Sequence, residues 1–274
     1  MFCAGHRALR GGRHPAEGLS RVNSAAIARA DPTPRRAVIL AGGMATRLGA
    51  LAKHTPKPLL SVAGRPFIAH IIAHCRRHGI GEFIVLAGPH EHAFRRALGN
   101  GRTLGVSIEV VAEPVPAGTA GALLYVRDRL ADTFLLLNGD SLFQANLLAL
   151  CEGRARDAPS PQPWGTIAVR RVEDTGRYGR VEVDQGLITR FGEKSGAGAG
   201  LINAGVYHLS ARILEAIGEP PVSLEQDVFP RLAREKLLGA HLLAGNFIDI
   251  GIPEDLERAR EVVPSWTGGD DAAG

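Results

Sequence analysis

A glycine turn and two cations lie close together near the start of the chain. The apolar residues 38–41 lead directly into Gly42 and Gly43, which are followed by Arg47 and by Lys57 between two prolines. Adjacent glycines let the backbone turn sharply and approach a ligand, and the next segment can present successive N–H groups to an anion. Packing alone explains many such turns. The two cations at this spacing predict, in addition, a site for the triphosphate of a nucleotide.

Two aspartates form a second feature. Asp140 follows the apolar run 134–137, and Asp249 interrupts the apolar run 247–250. A carboxylate in a buried strand is unfavourable unless something pairs with it. Two such acids at one crevice would suit Mg²⁺, which prefers oxygen ligands together with substrate phosphates. The alternatives are a turn-forming role for Asp140 and a salt bridge in the core for Asp249.

These side chains require elements that bring distant parts of the chain together. Strands are predicted at 38–40, 83–87, 106–111 and 134–137, with helices at 66–78, 90–98 and 119–129. This alternation predicts an α/β fold, Rossmann-like and doubly wound, with a mostly parallel sheet whose carboxyl edge binds ligands. After residue 146 the pattern predicts a small mixed or antiparallel extension. Its strands are expected at 166–170, 179–183, 187–190, 204–208 and 247–250, and its helices at 210–217, 224–236 and 253–262.

Positive charge is concentrated at the N-terminus. The chain of 274 residues has a formal net charge of +4, and residues 1–36 hold seven arginines and two acids. The rest of the chain has no basic surplus and aromatic content is 5%, so nucleic acid is not expected as a partner. We expect residues 1–35 to be a disordered basic extension, 36–264 to form the folded domain, and 265–274 to be a disordered tail. Within the domain, 36–146 is the expected nucleotide-binding half and 147–264 the sugar-phosphate half.

Two further properties of the sequence bear on where in the cell the protein is expected to be. No run of 18 apolar residues occurs, so no membrane span is expected. The three cysteines, Cys3, Cys75 and Cys151, are scattered and form no C-x-x-C pair. That pattern argues against a disulfide framework and favours the reducing cytoplasm.

Seven motifs occur in a fixed order along the chain. They are Leu40–Leu48, Pro56–Pro58, Val62–Pro66, Asn138–Asp140, Phe191–Lys194, Asn203–Gly205 and Asp249–Pro253. In this order they resemble the sugar-1-phosphate nucleotidyltransferases over residues 36–262. The segment 223–227 and the ending 247–253 are most similar to the D-glycero-D-manno-heptose 1-phosphate and mannose-1-phosphate guanylyltransferase branch. The segment 54–66 also resembles N-acetylmuramate 1-phosphate uridylyltransferases.

The resemblance implies an activity and a set of roles. A sugar 1-phosphate would attack the α-phosphate of a nucleoside triphosphate, GTP in the resembling branch, and pyrophosphate would leave. The implied catalytic residues are Arg47, Lys57 and Asp140, with Asp140 and Asp249 holding Mg²⁺. The implied nucleotide contacts are Leu40, Ala41, Gly42, Gly43, Thr46, Arg47, Glu113, Gly118 and Thr119. The implied contacts of the sugar phosphate are Gly139, Glu193, Lys194 and Asn203.

Several alternatives stay open at this point. The family pattern has glycine where Ala45 stands, which puts catalytic efficiency in question. A uridylyltransferase for an amino sugar phosphate, or a silent homologue that binds nucleotide sugars and regulates a partner, would share most of these motifs. A glycosyltransferase would need an acid in place of Asn138. The helix expected at 224–236 could contribute to a homo-oligomer interface.

Three histidines recur at helical spacing on the helix expected at 66–78. His70, His74 and His78 are each four residues apart, a spacing that could bind a transition metal. They lie off the apolar stripe of that helix, so we expect a solvated face instead.

Overall fold

The structure is a computed structural model that describes residues 34–43, 48–49, 55–156, 162–192 and 198–267. Its strands are β1 (Arg36–Leu40), β2 (Ser61–Val62), β3 (Arg65–Pro66), β4 (Glu82–Leu86), β5 (Ser107–Val111), β6 (Thr133–Asn138), β7 (Ser141–Gln144), β8 (Gly165–Val172), β9 (Val181–Asp184), β10 (Leu187–Phe191), β11 (Gly200–Ser210), β12 (Leu238–Leu242) and β13 (Asn246–Asp249). Its α-helices are α1 (Phe67–Arg77), α2 (Glu91–Leu98), α3 (Gly118–Gly121), α4 (Leu147–Arg156), α5 (Phe229–Arg234) and α6 (Pro253–Thr267). Short 3₁₀ helices lie at Lys57–Leu59, Gly88–His90, Arg102–Leu104, Ala122–Arg129 and Ala211–Ala216, and a π-helical turn at Leu224–Val228.

The central sheet has nine strands in the part of the chain that is described. Their order is β5-β4-β1-β6-β11-β8-β12-β10-β9. The first four strands are mutually parallel, β11 runs antiparallel to both β6 and β8, and β12 runs parallel to β8. The predicted α/β class is confirmed. Its mixed part supplies five of the nine strands, and four of these, β8, β9, β10 and β11, overlap strands that were predicted.

Side chains of the strands alternate between two apolar layers. In β1, Ala37 and Ile39 face one layer and Val38 faces the other, and all three are fully buried. The first layer is covered by α1, α2, α4 and α6. The second is covered by α3, the helical turns that follow it, and α5. Helices on both faces explain why the N-terminal strands are apolar throughout, as parallel strands buried on both sides must be.

Four predicted helices differ from the structure. The helix expected at 210–217 is a 3₁₀ helix at Ala211–Ala216. The helix expected at 119–129 is α-helical only at Gly118–Gly121 and continues as a 3₁₀ helix. The helix expected at 224–236 begins with a π-helical turn before α5. The end expected for the last helix, at about 262, is wrong, because α6 continues to Thr267 and Trp266 packs against the apolar core.

The strand expected at 247–250 forms, but outside the main sheet. It is β13, which pairs antiparallel with β7 in a separate two-stranded sheet. Strands β2, β3, β7 and β12 and helix α4 were not predicted from the sequence. Among the described helices, none is both long and apolar enough to cross a membrane.

The solvated histidine face expected on α1 is wrong for two of the three residues. His70 is fully buried and its Nε2 lies 2.9 Å from the carbonyl oxygen of Val62. His74 is 5% exposed and its Nε2 lies 3.0 Å from the carbonyl oxygen of Ala145. These hydrogen bonds offset the cost of burying the rings. The histidines therefore connect α1 to β2 and to the loop that follows β7.

Candidate active site

The glycine turn after β1 lies against the loop after β4. A Cβ on Gly42 would lie 2.8 Å from the backbone N and Cα of Gly88, and 2.9 Å from Oε1 of Glu113. Gly88 itself has φ +57°. A Cβ on Gly43, by contrast, would have no heavy atom within 4 Å. Packing of the two loops therefore accounts for Gly42, while Gly43 has space beside it.

Glu113, a predicted nucleotide contact, lies behind this turn. Its carboxylate accepts hydrogen bonds from the backbone N–H groups of Gly88 and Ala117. Burial raises the pKa of Glu113, and these two hydrogen bonds oppose the rise. The contacts of Glu113 within the described residues are thus with backbone that shapes the turn.

Lys57 and Asp140 form an ion pair at the carboxyl end of the parallel strands. The Nζ of Lys57 lies 2.7 Å from Oδ2 of Asp140, and their side chains are 16% and 31% exposed. The flanking prolines restrict the backbone of Lys57 within its 3₁₀ helix. Gly139 donates its N–H to the carbonyl of Leu40 at 2.8 Å, and a Cβ there would lie 2.8 Å from the same oxygen. Gly139 therefore lets the ends of β6 and β1 approach closely.

The pairing of β7 with β13 brings the second aspartate to this pair. Ser141 is the strand partner of Asp249, and its hydroxyl lies 3.2 Å from Oδ1 of Asp140 and 3.1 Å from Oδ2 of Asp249. The N–H of Ile250 donates to the carbonyl of Asp140 at 3.0 Å. The backbone N–H of Gly251 donates to Oδ1 of Asp249 at 2.6 Å. Residues more than a hundred positions apart thus form one acidic pair.

The electrostatics of the pair favour a cation. Burial, and next the charge of Asp140, raise the pKa of Asp249 to about 6, while Lys57 and two hydrogen bonds oppose the rise. Two carboxylates that contact one hydroxyl supply the oxygen ligands that Mg²⁺ prefers, so the donor set fits this ion. Among the described residues, no group of three or more His, Cys, Asp or Glu side chains could hold a metal. An ion held by Asp140 and Asp249 would leave room for phosphate or water oxygens among its ligands.

Two clefts meet at this cluster. The larger has a volume of about 1180 Å³ and the smaller about 220 Å³. The walls of both include Lys57, Asn138, Asp140 and Glu225. The smaller is also lined by Leu40, Ala41, Gly43, Pro58 and Thr119. The larger also contains Ser141, Arg177, Tyr178, Gly179, Arg180, Val181, Phe191, Gly192, Asn203, Gly205, Ser223, Gln226, Pro230, Phe247, Asp249, Gly251 and Ile252.

Asn203 lies in the wall of the larger cleft with its amide already oriented. Its Oδ1 accepts from the N–H of Gly205 at 2.9 Å, and its Nδ2 donates to the hydroxyl of Tyr207 at 3.1 Å. Tyr207 is fully buried, and burial raises its pKa well above the usual value. An amide has two N–H donors and two carbonyl lone pairs, so the contacts among the described residues leave Asn203 one of each for a ligand.

Gly118 and Thr119 connect the smaller cleft to the π-helical turn. Gly118 has φ +77°, and a Cβ there would lie 2.4 Å from the carbonyl oxygen of Val222. Only glycine fits such a position. The hydroxyl of Thr119 accepts from the N–H of Leu224 at 2.8 Å and donates to Oε2 of Glu225 at 2.9 Å.

Some predicted site residues cannot be placed. Thr46, Arg47, Glu193 and Lys194 lie outside the described residues, as does Ala45. The structure brings Lys57, Gly139, Asp140 and Asp249 together, with Asn203 in the larger cleft and Leu40, Ala41, Gly43 and Thr119 around the smaller.

Several residues in the cleft walls were not predicted from the sequence, among them Ser141, Arg177, Tyr178, Arg180 and Glu225. Tyr178 lies between Arg177 and Arg180 in the loop after β8, and Glu225 lies in a segment that was cited only for its resemblance. Arg177 makes two contacts with the carboxylate of Asp255, which is 3% exposed. The available signal was a tyrosine and a glycine flanked by arginines, at the start of the strand expected at 179–183.

Comparison with known proteins identifies the family. A sequence model described as Nucleotidyl transferase matches residues 36–265. Over 231 residues the chain is 34% identical to probable mannose-1-phosphate guanylyltransferase 2 of Oryza sativa subsp. japonica, which covers 80% of this chain and 62% of that protein. It is 34% identical over 229 residues to the mannose-1-phosphate guanylyltransferase catalytic subunit beta of Dictyostelium discoideum, with the same two coverages. The chain therefore spans about 62% of the length of these curated relatives.

Solved structures agree with this assignment. HddC from Yersinia pseudotuberculosis superposes with a TM-score of 0.74 at 29% identity, over 83% of this chain and 99% of that one. A putative glucose-1-phosphate thymidylyltransferase from Bacillus anthracis shares the fold, with a TM-score of 0.72 at 22% identity. Since the family model matches most of the chain, the protein belongs to the nucleotidyl transferase family.

Proposed function

We propose that this protein transfers a nucleotidyl group from GTP to a sugar 1-phosphate of the mannose or heptose type, giving a GDP-sugar and pyrophosphate. The observation that carries the proposal is the meeting of two clefts at Lys57 and Asp140. A reaction between two phosphorylated substrates needs two adjoining sites with a charged group at their junction. The smaller cleft would take the nucleotide and the larger the sugar phosphate.

In this reaction the main task of the protein is to position the two substrates, because it need not form a covalent bond with either of them. A phosphate oxygen of the sugar phosphate attacks the α-phosphorus, a new P–O bond forms, and the bond to the bridging oxygen of pyrophosphate breaks. Because the substrate is itself the nucleophile, catalysis comes from in-line alignment and neutralisation of charge. Lys57 would neutralise charge at the α-phosphate. Arg47, by its place in the family motif, would bind the β- and γ-phosphates.

Asp140 and Asp249 would hold Mg²⁺. When bound, this ion neutralises charge on phosphate oxygens and aligns them. In the structure Lys57 partly neutralises the pair by its contact with Asp140.

The choice of base and sugar rests on the relatives. The two curated relatives carry the names probable mannose-1-phosphate guanylyltransferase and mannose-1-phosphate guanylyltransferase catalytic subunit beta, and HddC has been solved in complex with GMP-PN. The segment 223–227 adds a resemblance to the heptose branch. A cytoplasmic location, a homo-oligomer and the division of the domain at residue 146 stay predictions.

A matrix of substrates tests the proposal. Each of the four common NTPs and dTTP would be paired with mannose, heptose, glucose and N-acetylmuramate 1-phosphates, and pyrophosphate release measured with and without Mg²⁺. We expect the highest kcat/KM for GTP with mannose or heptose 1-phosphate, and dependence on Mg²⁺. Preference for UTP with an amino sugar phosphate would replace the guanylyl assignment. Turnover of no pair, with nucleotide sugar still bound, would favour the silent regulatory homologue.

A further inference from the structure

Glu225 occupies a distinctive place at the junction of the clefts. Together with Lys57, Asn138 and Asp140, it lines both the larger and the smaller cleft. Lys57 and Asp140 already contact each other. Glu225 is therefore a second acidic side chain, besides Asp140, at the point where the two substrates would meet. It takes no part in the Lys57–Asp140 ion pair or in the pair of Asp140 and Asp249, so those contacts do not explain its position.

The carboxylate of Glu225 is oriented through one of its two oxygens. Thr119 and Ser223 donate their hydroxyls to Oε2, at 2.9 and 3.3 Å. Because the Thr119 hydroxyl also accepts the N–H of Leu224, its own proton is directed toward Glu225. Oε1 has no hydrogen-bond partner among the residues that the structure describes. One oxygen is thus held in place while the other is available to a ligand.

The backbone around this carboxylate is held from both sides. The N–H of Val222 donates to the carbonyl of Ala117 at 2.8 Å, and the N–H of Ala120 donates to the carbonyl of Val222 at 2.9 Å. Ser223 caps the π-helical turn by accepting the N–H of Gln226 at 3.1 Å. These hydrogen bonds therefore fix the position of Oε1 relative to both clefts. A group that discriminates between substrates needs such a fixed position.

The chemistry of the substrates limits what Oε1 can bind. An ionised carboxylate accepts hydrogen bonds and donates none. Phosphate oxygens are acceptors with the same sign of charge, so they are repelled, whereas hydroxyl groups can donate. A nucleotide and a sugar phosphate both carry hydroxyls close to the phosphates that react. Thr119, the anchor of Glu225, lies toward the expected base site, and Asp140 lies toward the phosphate.

Building on the proposed function, we propose that Glu225 is a specificity-determining residue whose Oε1 accepts a hydrogen bond from a substrate hydroxyl at the cleft junction. The hydroxyl belongs to the ribose of the nucleotide or to the sugar of the sugar phosphate. In either case the site selects for a hydroxyl at one position, because a substrate lacking it would leave an oriented carboxylate without its partner.

Removing the Glu225 carboxylate and single substrate hydroxyls, separately and together, tests the proposal. Glu225→Ala and the wild-type protein would be assayed with GTP, 2′-deoxy-GTP and 3′-deoxy-GTP, and with the preferred sugar phosphate and its monodeoxy analogues. We expect loss of one particular hydroxyl to lower the wild-type kcat/KM by about tenfold to a hundredfold, the usual size of a hydrogen bond to a charged group. In Glu225→Ala, loss of the same substrate hydroxyl should change kcat/KM by less than about threefold. Such an effect at a ribose hydroxyl or at a sugar hydroxyl would support the proposal, and its position would identify which substrate Glu225 binds.

Two further variants separate specificity from folding. Glu225→Gln retains an acceptor oxygen and should keep part of the discrimination between the hydroxyl and deoxy substrates. Glu235→Gln changes an exposed acid in the same part of the chain, paired with Arg231, and should behave as wild type. Equal deoxy penalties in wild type and Glu225→Ala at every position would overturn the proposal. Absence of turnover in the wild type with every pair would instead contradict the proposed function, so the two failures are distinguishable.

Discussion

His74, one of the two buried histidines of α1, gives a prediction whose size follows from the structure. Burial, and next the charges of His78 and Arg77, lower the pKa of His74 from 6.5 to about 4, and its hydrogen bond with Ala145 opposes the shift. The neutral ring donates that hydrogen bond from Nε2, which connects α1 to the loop that follows β7. Because burial disfavours the charged form of the ring, protonation of His74 favours the unfolded chain.

The sign and the magnitude can be worked out. Between about pH 6.5 and about pH 4 the unfolded state binds more protons at His74 than the folded state, so the stability that His74 contributes is complete above pH 6.5 and lost as the pH falls. A shift of that size removes about 2 kcal/mol of unfolding free energy between about pH 7 and about pH 5, and about 3 kcal/mol in total.

Urea unfolding at a series of pH values measures this loss. His74→Gln keeps an amide donor but does not titrate, so its stability should fall by about 2 kcal/mol less than that of the wild type between about pH 7 and about pH 5. His92→Gln, at an exposed position on α2, is the matched control and should follow the wild type. Equal pH dependence in His74→Gln and the wild type would refute the assignment of the effect to His74.

Three other predictions concern the clefts and the core. Asp140→Asn should lower kcat by about a hundredfold or more at any Mg²⁺ concentration and leave the far-ultraviolet circular dichroism unchanged; near-normal turnover would contradict a role at the phosphates. Gly42→Ala places a Cβ 2.8 Å from the backbone of Gly88, so it should destabilise the fold by about 1–3 kcal/mol and raise the KM for GTP more than the KM for the sugar phosphate. Cys75 is fully buried and burial raises its pKa to about 12, so native protein should resist alkylation there at neutral pH while urea-unfolded protein reacts; rapid labelling of native Cys75, detected by mass spectrometry, would be inconsistent with this burial.

Much of the candidate site could be predicted because its members follow strand ends in recognisable motifs. Asp140 and the glycine turn lie at the carboxyl edge of adjacent parallel strands, β6 and β1, as the alternation of elements predicts. The approach of Asp249 could not be derived from periodicity. It depends on the register of β7 against β13, a pairing between segments separated by about a hundred residues. The place of Glu225 likewise depends on a contact with Thr119 across the fold.

The missed elements have local explanations. The segment Leu238–Leu242 contains a glycine and no β-branched residue, and its parallel pairing with β8 is what makes it a strand. Helix α4 did carry a signal, since the side chain of Asn146 accepts the N–H groups of Leu148 and Ala149 as an N-cap. The buried histidines were misplaced because hydropathy alone does not show that carbonyl groups of β2 and of the loop after β7 lie within hydrogen-bond distance of their rings.

The central claim is that the α-phosphorus of GTP is transferred to a sugar phosphate at the junction of the two clefts. It is tested most directly by incubating the protein and Mg²⁺ with GTP labelled at the α- or the γ-phosphorus, with and without mannose or heptose 1-phosphate. We expect the α-label to appear in a nucleotide sugar and the γ-label in pyrophosphate, only when the sugar phosphate is present. Release of the α-label as GMP, or of the γ-label as inorganic phosphate independently of the sugar, would contradict the claim.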